Sequence, residues 1–194
     1  MPRIDHKQFY TQTIKKFGTS AKGVAWSDEF RQKRRFAAIL AAIPNLSDAS
    51  IVDGGCGFGD LWLYMRQKGA VPKSYIGIDM LDFMVEEAKK RTKKRVFKRN
   101  ILKDPLPEAD WYVVSGALNL LTRFETLLAV KRMMDVSKSG VVFNLLKGED
   151  RSETFNYWMP QEIRKSCANF GRVEIYEGYI DGDFTVKIVH RGTF

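Results

Sequence analysis

Residues 50–60, Ser-Ile-Val-Asp-Gly-Gly-Cys-Gly-Phe-Gly-Asp, constrain the fold more than any other stretch of the chain. Ile51 and Val52 form a short β-branched run that reads as a buried strand. The run breaks at Asp53 into a glycine-dense loop, and Leu61, Trp62, Leu63, Tyr64 and Met65 then open a helix. A strand that turns through glycines into a helix lets main chain approach a nucleotide-like ligand closely. Gly55, Gly57 and Gly59 have no Cβ, so they adopt unusual dihedrals and leave room for a ligand atom.

The spacing separates two ligand classes. A dinucleotide fingerprint runs G-x-G-x-x-G. Counted from Gly55, its third glycine falls at position 60, where Asp60 stands. The pattern present is D-x-G-x-G-x-G, from Asp53 to Gly59. An acidic side chain at the helix start is a poor neighbour for a pyrophosphate and a suitable one for a cationic amino-acid ligand.

After Ile51 the chain alternates with the period of βαβ units. Strands are expected over 50–54, 75–79, 95–99, 110–115, 139–145, 172–177 and 183–190. Helices are expected over 59–68, 81–91, 123–136 and 160–169. Before them, Phe9, Tyr10, Ile14 and Phe17 have helical spacing, and Ser27 caps a helix running to Ile43, ahead of Pro44. Too few residues separate the last two strands for a helix, so they must form an antiparallel hairpin. The fold class is α/β: a doubly wound, seven-stranded, mostly parallel sheet with an antiparallel last strand, preceded by N-terminal helices. A length of 194 residues suits one domain, with a helical cap segment over 1–48 and a Rossmann-like core over 49–194.

Composition narrows the setting. No apolar run approaches the roughly 20 residues that span a bilayer, and the N-terminus lacks the apolar stretch of a secretory signal. Cys56 and Cys167 cannot build a disulfide framework, so reduced thiols in a cytoplasmic protein are expected. His6 and His190 lie far apart without metal-ligand spacing, and no metal is expected. The net charge of +9 concentrates in Lys89-Lys90-Arg91 through Lys98-Arg99. Such a run either attracts a polyanion or simply solvates a helix end.

The glycine motif and Tyr75-Ile-Gly-Ile-Asp79, followed by Ser115-Gly116 and Asn119, resemble class I S-adenosylmethionine (AdoMet) methyltransferases. With Trp26-Ser27, Gln32, Arg35-Phe36 and Phe143-Asn144, the likeness extends to a set of small bacterial methyltransferase-like proteins. It implies AdoMet as cofactor, leaving as S-adenosylhomocysteine. Asp53, Gly55, Cys56, Gly57 and Gly59 would then face the methionyl portion. Asp79, 20 residues after Gly59, would accept both ribose hydroxyls, or else cap the following helix. Met80 would wall the adenine. Asn100 stands where the family usually has an acid, its amide oxygen still able to accept from the adenine amine. Ile101 either packs on the adenine or fills the loop. Ser115 and Gly116 would lie beside the transferred methyl. Trp26 and Arg35 sit on a segment that could reach the methionine carboxylate, Arg35 in bidentate fashion; a solvated basic face is the other reading.

No catalytic base stands out. The segment 147–160 mixes charge with aromatics and suits either a lid or a surface crossover. The Asn/Asp-Pro-Pro-aromatic tetrapeptide of nucleic-acid amino-group methylases is missing after the fourth strand, which counts against base-amine methylation of DNA. The expectation is methyl transfer to a small molecule. The alternatives are an RNA methyltransferase using the basic surface and a non-catalytic AdoMet-binding sensor or scaffold.

Overall fold

The central strands are apolar on both faces, as a parallel sheet covered on both sides requires. The computed structural model describes residues 29–192; the helix expected near Phe9–Phe17, and Trp26 with its neighbours, lie outside the described residues. The elements run α1 (Glu29–Ala42), β1 (Ser50–Gly54), α2 (Asp60–Gln67), β2 (Ser74–Asp79), α3 (Asp82–Thr92), β3 (Arg95–Lys98) and β4 (Ala109–Val114). They continue α4 (Arg123–Val136), β5 (Ser137–Lys147), β6 (Tyr157–Trp158), α5 (Pro160–Cys167), β7 (Arg172–Tyr176) and β8 (Asp183–Val189).

The strand order is β3-β2-β1-β4-β5-β8-β7. All neighbours pair in parallel except β8, which is antiparallel to both β5 and β7. The order reverses between β1 and β4, and that switch point opens a crevice at the carboxyl ends of the strands. Alternation decides which side chains cover each face. Ile51, Tyr75, Trp111, Val113 and Val142 pack with Phe36 and Ile39 of α1 and with Leu61, Trp62 and Met65 of α2. Val52, Ile78, Tyr112, Val141 and Phe143 pack on the opposite face with Val130 and Met133 of α4 and Ile163 of α5.

Local signals set the element ends. Thr122 begins α4 with a capping box: its hydroxyl accepts from Glu125 N at 3.2 Å, and the Glu125 carboxylate accepts from Thr122 N at 2.9 Å. Pro160 starts α5, where a missing N–H costs nothing.

One element departs from the expected seven strands. Tyr157 and Trp158 form a two-residue strand beside the end of β5, inside the segment read as lid or crossover. Two residues carry no alternation, so no pattern announces it. Tertiary contacts hold it instead: Asn156 N donates to Asn119 O at 2.6 Å, and Arg123 donates to Tyr157 O at 3.0 Å with its guanidinium 4.2 Å from the Trp158 ring.

Candidate active site

The glycine loop is pinned to the end of β2. Gly55 N and Cys56 N both donate to Ile78 O, at 2.8 and 3.0 Å. Gly57 N donates to one carboxylate oxygen of Asp79 at 3.0 Å, and Leu81 N to the other at 3.0 Å. Asp79 therefore organises the loop and the approach to α3 together, but the N-cap position weighed for it belongs to Leu81, whose N–H Asp79 holds one step ahead of the helix. Two glycines are required by close approach. Gly55 has φ +70°, and a Cβ there would lie 2.4 Å from the Ala117 Cβ. Gly59 has φ +79°, and its Cβ would lie 2.3 Å from Thr92 Cγ2. Arg91 ties α3 to the same loop, donating to Phe58 O at 3.1 Å and to Asp60 at 2.7 Å.

Three carboxylates gather here. Asp53 is buried and accepts from the Tyr75 hydroxyl at 2.6 Å. Burial raises its pKa from 3.8 to about 7; the Tyr75 bond opposes this, and the charges of Asp79 and Asp60 add to it. Opposite Asp53 in the sheet stand Gly77 on β2 and Val113 on β4, so no cation reaches it through its strand neighbours. A carboxyl poised at neutrality beside two other acids marks a site complementary to positive charge.

The remaining expected residues fall into two groups. Met80 is exposed at the end of β2, Gly116 is half-buried after β4, and Ile101, half-buried after β3, packs against the core that includes Met133. Ser115 is half-buried at the end of β4 and donates to Asn144 Oδ1 at 3.0 Å. Gly57 is half-buried with φ +53°, its main chain turned through the loop.

Three residues take roles other than those expected. Cys56 turns its side chain into a small core with Val85, Ala88 and Val96, and its N–H and carbonyl are both bonded within the fold. It shapes the loop. The Asn100 amide oxygen accepts from Leu102 N at 2.9 Å, while Asp104 accepts from Asn100 N at 2.7 Å. Asn100 thus closes the turn after β3 and places an unforeseen acid there. Arg35 is buried, and its guanidinium fork is committed to Asp183, at 2.7 and 2.5 Å. The fork expected at a ligand carboxylate instead fastens α1 to β8.

A family model described as a methyltransferase domain matches residues 45–191, which is most of the chain. The chain belongs to the class I AdoMet methyltransferases. No curated protein matches this methyltransferase by sequence. Among solved structures it is similar to magnesium protoporphyrin IX methyltransferase from Synechocystis PCC 6803 with bound AdoMet, at 16% identity, TM-score 0.70, covering 96% of this chain and 98% of that one. It is similar to a methyltransferase from Haloferax volcanii in complex with the Trm112 methyltransferase activator, at 16% identity, TM-score 0.71, covering 94% and 98%. A Thermotoga maritima protein described as a possible histamine N-methyltransferase matches at 14% identity, TM-score 0.65, covering 94% and 100%. At these identities the likeness is one of fold.

The residues present fit AdoMet, the family's cofactor. That ligand carries a sulfonium and an ammonium against one carboxylate, so its net charge answers Asp53 and Asp79, while Asp60 is paired with Arg91 at 2.7 Å. The N–H groups of Gly55, Cys56 and Gly57 are bonded within the fold, so what the loop offers a ligand is its shape, the main chain being turned between β1 and α2 through glycines of positive φ. Sequence reasoning missed Asp104, Thr185 and Tyr179. The alternation Asp183, Thr185, Lys187 along β8 did mark polar side chains on the face shared with Asn144, while Tyr179, in a turn, left no such signal.

Proposed function

We propose that this methyltransferase moves a methyl group from AdoMet to a small-molecule acceptor. The buried carboxyl of Asp53, held near neutrality beside Asp60 and Asp79 at the mouth of the glycine loop, carries the AdoMet part of the reading. Asp79 would hold the ribose hydroxyls, and Asp53 would face the cationic amino group. Gly55 and Gly57 would give the methionyl portion room against the main chain, and Met80, Asn100 and Ile101 would border the adenine. Ser115 and Gly116 would stand beside the methyl group. We further propose a single domain over 1–194.

When bound, AdoMet supplies a methyl group already activated on a sulfonium sulfur. The chain's own task is to hold the acceptor in line and to exclude water. The half-buried cleft end of β4, with β6 folded beside β5, suits that task. Support for a small acceptor comes from the fold relatives described as a magnesium protoporphyrin IX methyltransferase and as a possible histamine N-methyltransferase.

The basic run supports the RNA alternative less than its sequence suggests. Arg91 pairs with Asp60 at 2.7 Å, Lys98 with Asp82 at 2.7 Å and Lys89 with Glu86 at 2.9 Å, while Lys94 lies 4.3 Å from the Trp62 ring. Calorimetry with AdoMet tests the shared premise, and no heat at millimolar ligand would sink it. Salt-dependent RNA binding together with methyl transfer to RNA would replace the small-molecule reading.

A further inference from the structure

On the face of the sheet covered by α1, the side chains turn polar toward the cleft. Ser115 follows Trp111 and Val113 along β4, Asn144 follows Val142 along β5, and Thr185 stands opposite Asn144 in the β5–β8 register. Asn144 and Thr185 are fully buried, whereas Ser115 and Tyr179 at the two ends are half-buried. The four residues form one hydrogen-bonded chain. Ser115 Oγ donates to Asn144 Oδ1 at 3.0 Å. Asn144 Nδ2 donates to Thr185 Oγ1 at 2.8 Å and to the Tyr179 hydroxyl at 3.3 Å. Thr185 Oγ1 donates to the Tyr179 hydroxyl at 3.0 Å.

The far end of this chain is tied to α1. Arg34 donates to Tyr179 O at 2.9 Å, Arg31 donates to Asp181 O at 2.7 Å, and Arg35 grips Asp183. Three helical arginines thus hold the turn between β7 and β8, and with it the Tyr179 ring. A buried carboxamide satisfied at both ends, in a turn held this firmly, keeps one orientation.

Proton counting gives the consequence. A hydroxyl has one proton and two lone pairs. The Ser115 proton goes to Asn144 Oδ1, so toward the cleft Ser115 presents lone pairs alone. It can accept a hydrogen bond and cannot donate one.

We infer that Ser115 Oγ receives an N–H from the methyl acceptor, that this acceptor is a primary or secondary amine, and that Asn144 is the positioning residue that keeps Ser115 accepting. The inference deepens the proposed function and rests on it, since it takes the acceptor to lie at the end of β4. A hydroxyl acceptor would have to lose its proton within the transfer itself, to a base beside Ser115. Nothing in this chain of residues serves as one, and the Asp53 carboxyl is engaged by the Tyr75 hydroxyl at 2.6 Å and, in the proposed function, by the cationic end of AdoMet. Burial pushes Tyr179 up to about 12, Asp183 is held by Arg35, and Asn144 and Thr185 do not titrate. A neutral amine brings a lone pair and an N–H together. Its nitrogen lone pair forms the new N–C bond as the sulfur–methyl bond breaks, and that bond's electron pair stays on sulfur. The incoming ammonium leaves one proton in water before it binds as the neutral amine; the positive charge then passes from sulfur to nitrogen, whose N–H remains on Ser115 until the product departs as the methylated ammonium.

The test uses the full chain with tritiated AdoMet and a cell extract split on a cation exchanger into amine, neutral and anionic pools. Label in the amine pool, shown by mass spectrometry to be N-methyl, is the expected result. Label only in the other pools, or in none although calorimetry shows AdoMet bound, overturns the inference and leaves the AdoMet reading standing. Absence of AdoMet binding defeats both. On the labelled amine, Ser115→Ala should lower kcat about tenfold, the loss of one hydrogen bond, with the AdoMet Kd within about twofold of the parent. Ser115→Thr should restore most of the rate, and Asn144→Ala should reproduce the loss with Ser115 in place. An unchanged kcat in Ser115→Ala overturns the assignment.

Discussion

The two halves of the crevice are built on different principles. The half at the ends of β1 and β2 uses charge and main chain: Asp53, Asp60 and Asp79 surround a glycine loop whose N–H groups are tied to β2. The half at the ends of β4, β5 and β8 uses neutral side chains, in the chain of hydrogen bonds from Ser115 through Asn144 and Thr185 to Tyr179. The Arg35–Asp183 pair beside this chain is buried, its two charges against each other. A charged, backbone-lined half suits a ligand that is always the same cation. A neutral, side-chain-lined half can be rebuilt for a new acceptor without disturbing the first, and that division lets one fold serve many acceptors.

The sharpest way to break the comparison is at Arg35. Removing one partner of a buried ion pair strands the other, at a cost of about 3–5 kcal/mol. Arg31 remains 3.5 Å from the Asp183 carboxylate, so Arg35→Ala should lower stability by about 3 kcal/mol, the lower end of that range, in urea unfolding, and Arg35→Met with Asp183→Leu should recover much of it. AdoMet affinity measured on the folded fraction should barely change. A large loss of affinity with stability intact would return Arg35 to the ligand and join the two halves.

Asp79→Ala is the counterpart in the charged half. It removes the acceptor of two N–H bonds that shape the loop and the proposed ribose contact. Hydrogen bonds to charged groups contribute roughly 1.5–3 kcal/mol each. AdoMet affinity should fall at least about 30-fold by calorimetry, while an amine-dependent step measured at saturating AdoMet should suffer less. Equal damage to both would mean that the halves are not separable.

The same division explains what was legible in the sequence. Asp53, the glycines and Asp60 lie within one short stretch, and Asp79 ends the next strand, so a local pattern holds the charged half almost whole. Strand and helix positions were legible for a related reason: the apolar stripes of β1 to β5 and the cap at Thr122 are local. The neutral half joins β4 to β5 and then to β8 through contacts between residues distant in the chain. Nothing near Tyr179 announces that its hydroxyl meets Asn144. Arg35 was misplaced for the same reason, because its partner Asp183 lies on the last strand. Asn100 differs again: its amide oxygen closes the local turn to Leu102 with one lone pair and keeps the other for a ligand, and no pattern announces the first bond.

Asp53 allows the comparison to be sharpened by pH. In the folded chain it holds its proton to about pH 7, against 3.8 for the ordinary group. The folded state thus binds the extra proton between those values, and stability falls as pH rises through that window. A bound cation favours the ionised carboxylate, so proton and ligand compete. AdoMet affinity should rise by up to roughly tenfold between pH 6 and 7.5, and Asp53→Asn should flatten the profile. A flat profile in the parent chain would remove Asp53 from the cationic end of the ligand.

The smallest expected effect lies at the end of β3. Asn100→Asp keeps the oxygen that accepts from Leu102 N and adds a negative charge beside Asp104. A charge-assisted bond to the adenine amine would strengthen binding, but repulsion from Asp104, half-buried on Asn100 N, opposes it. The two terms nearly offset, so AdoMet affinity should rise no more than about threefold, some 0.6 kcal/mol. Asn100→Asp combined with Asp104→Asn should rise further, since the opposing charge is gone. If neither variant shifts the calorimetric Kd, the adenine is held by Met80 and Ile101 through packing alone, and the polar character of this half ends at Asp79.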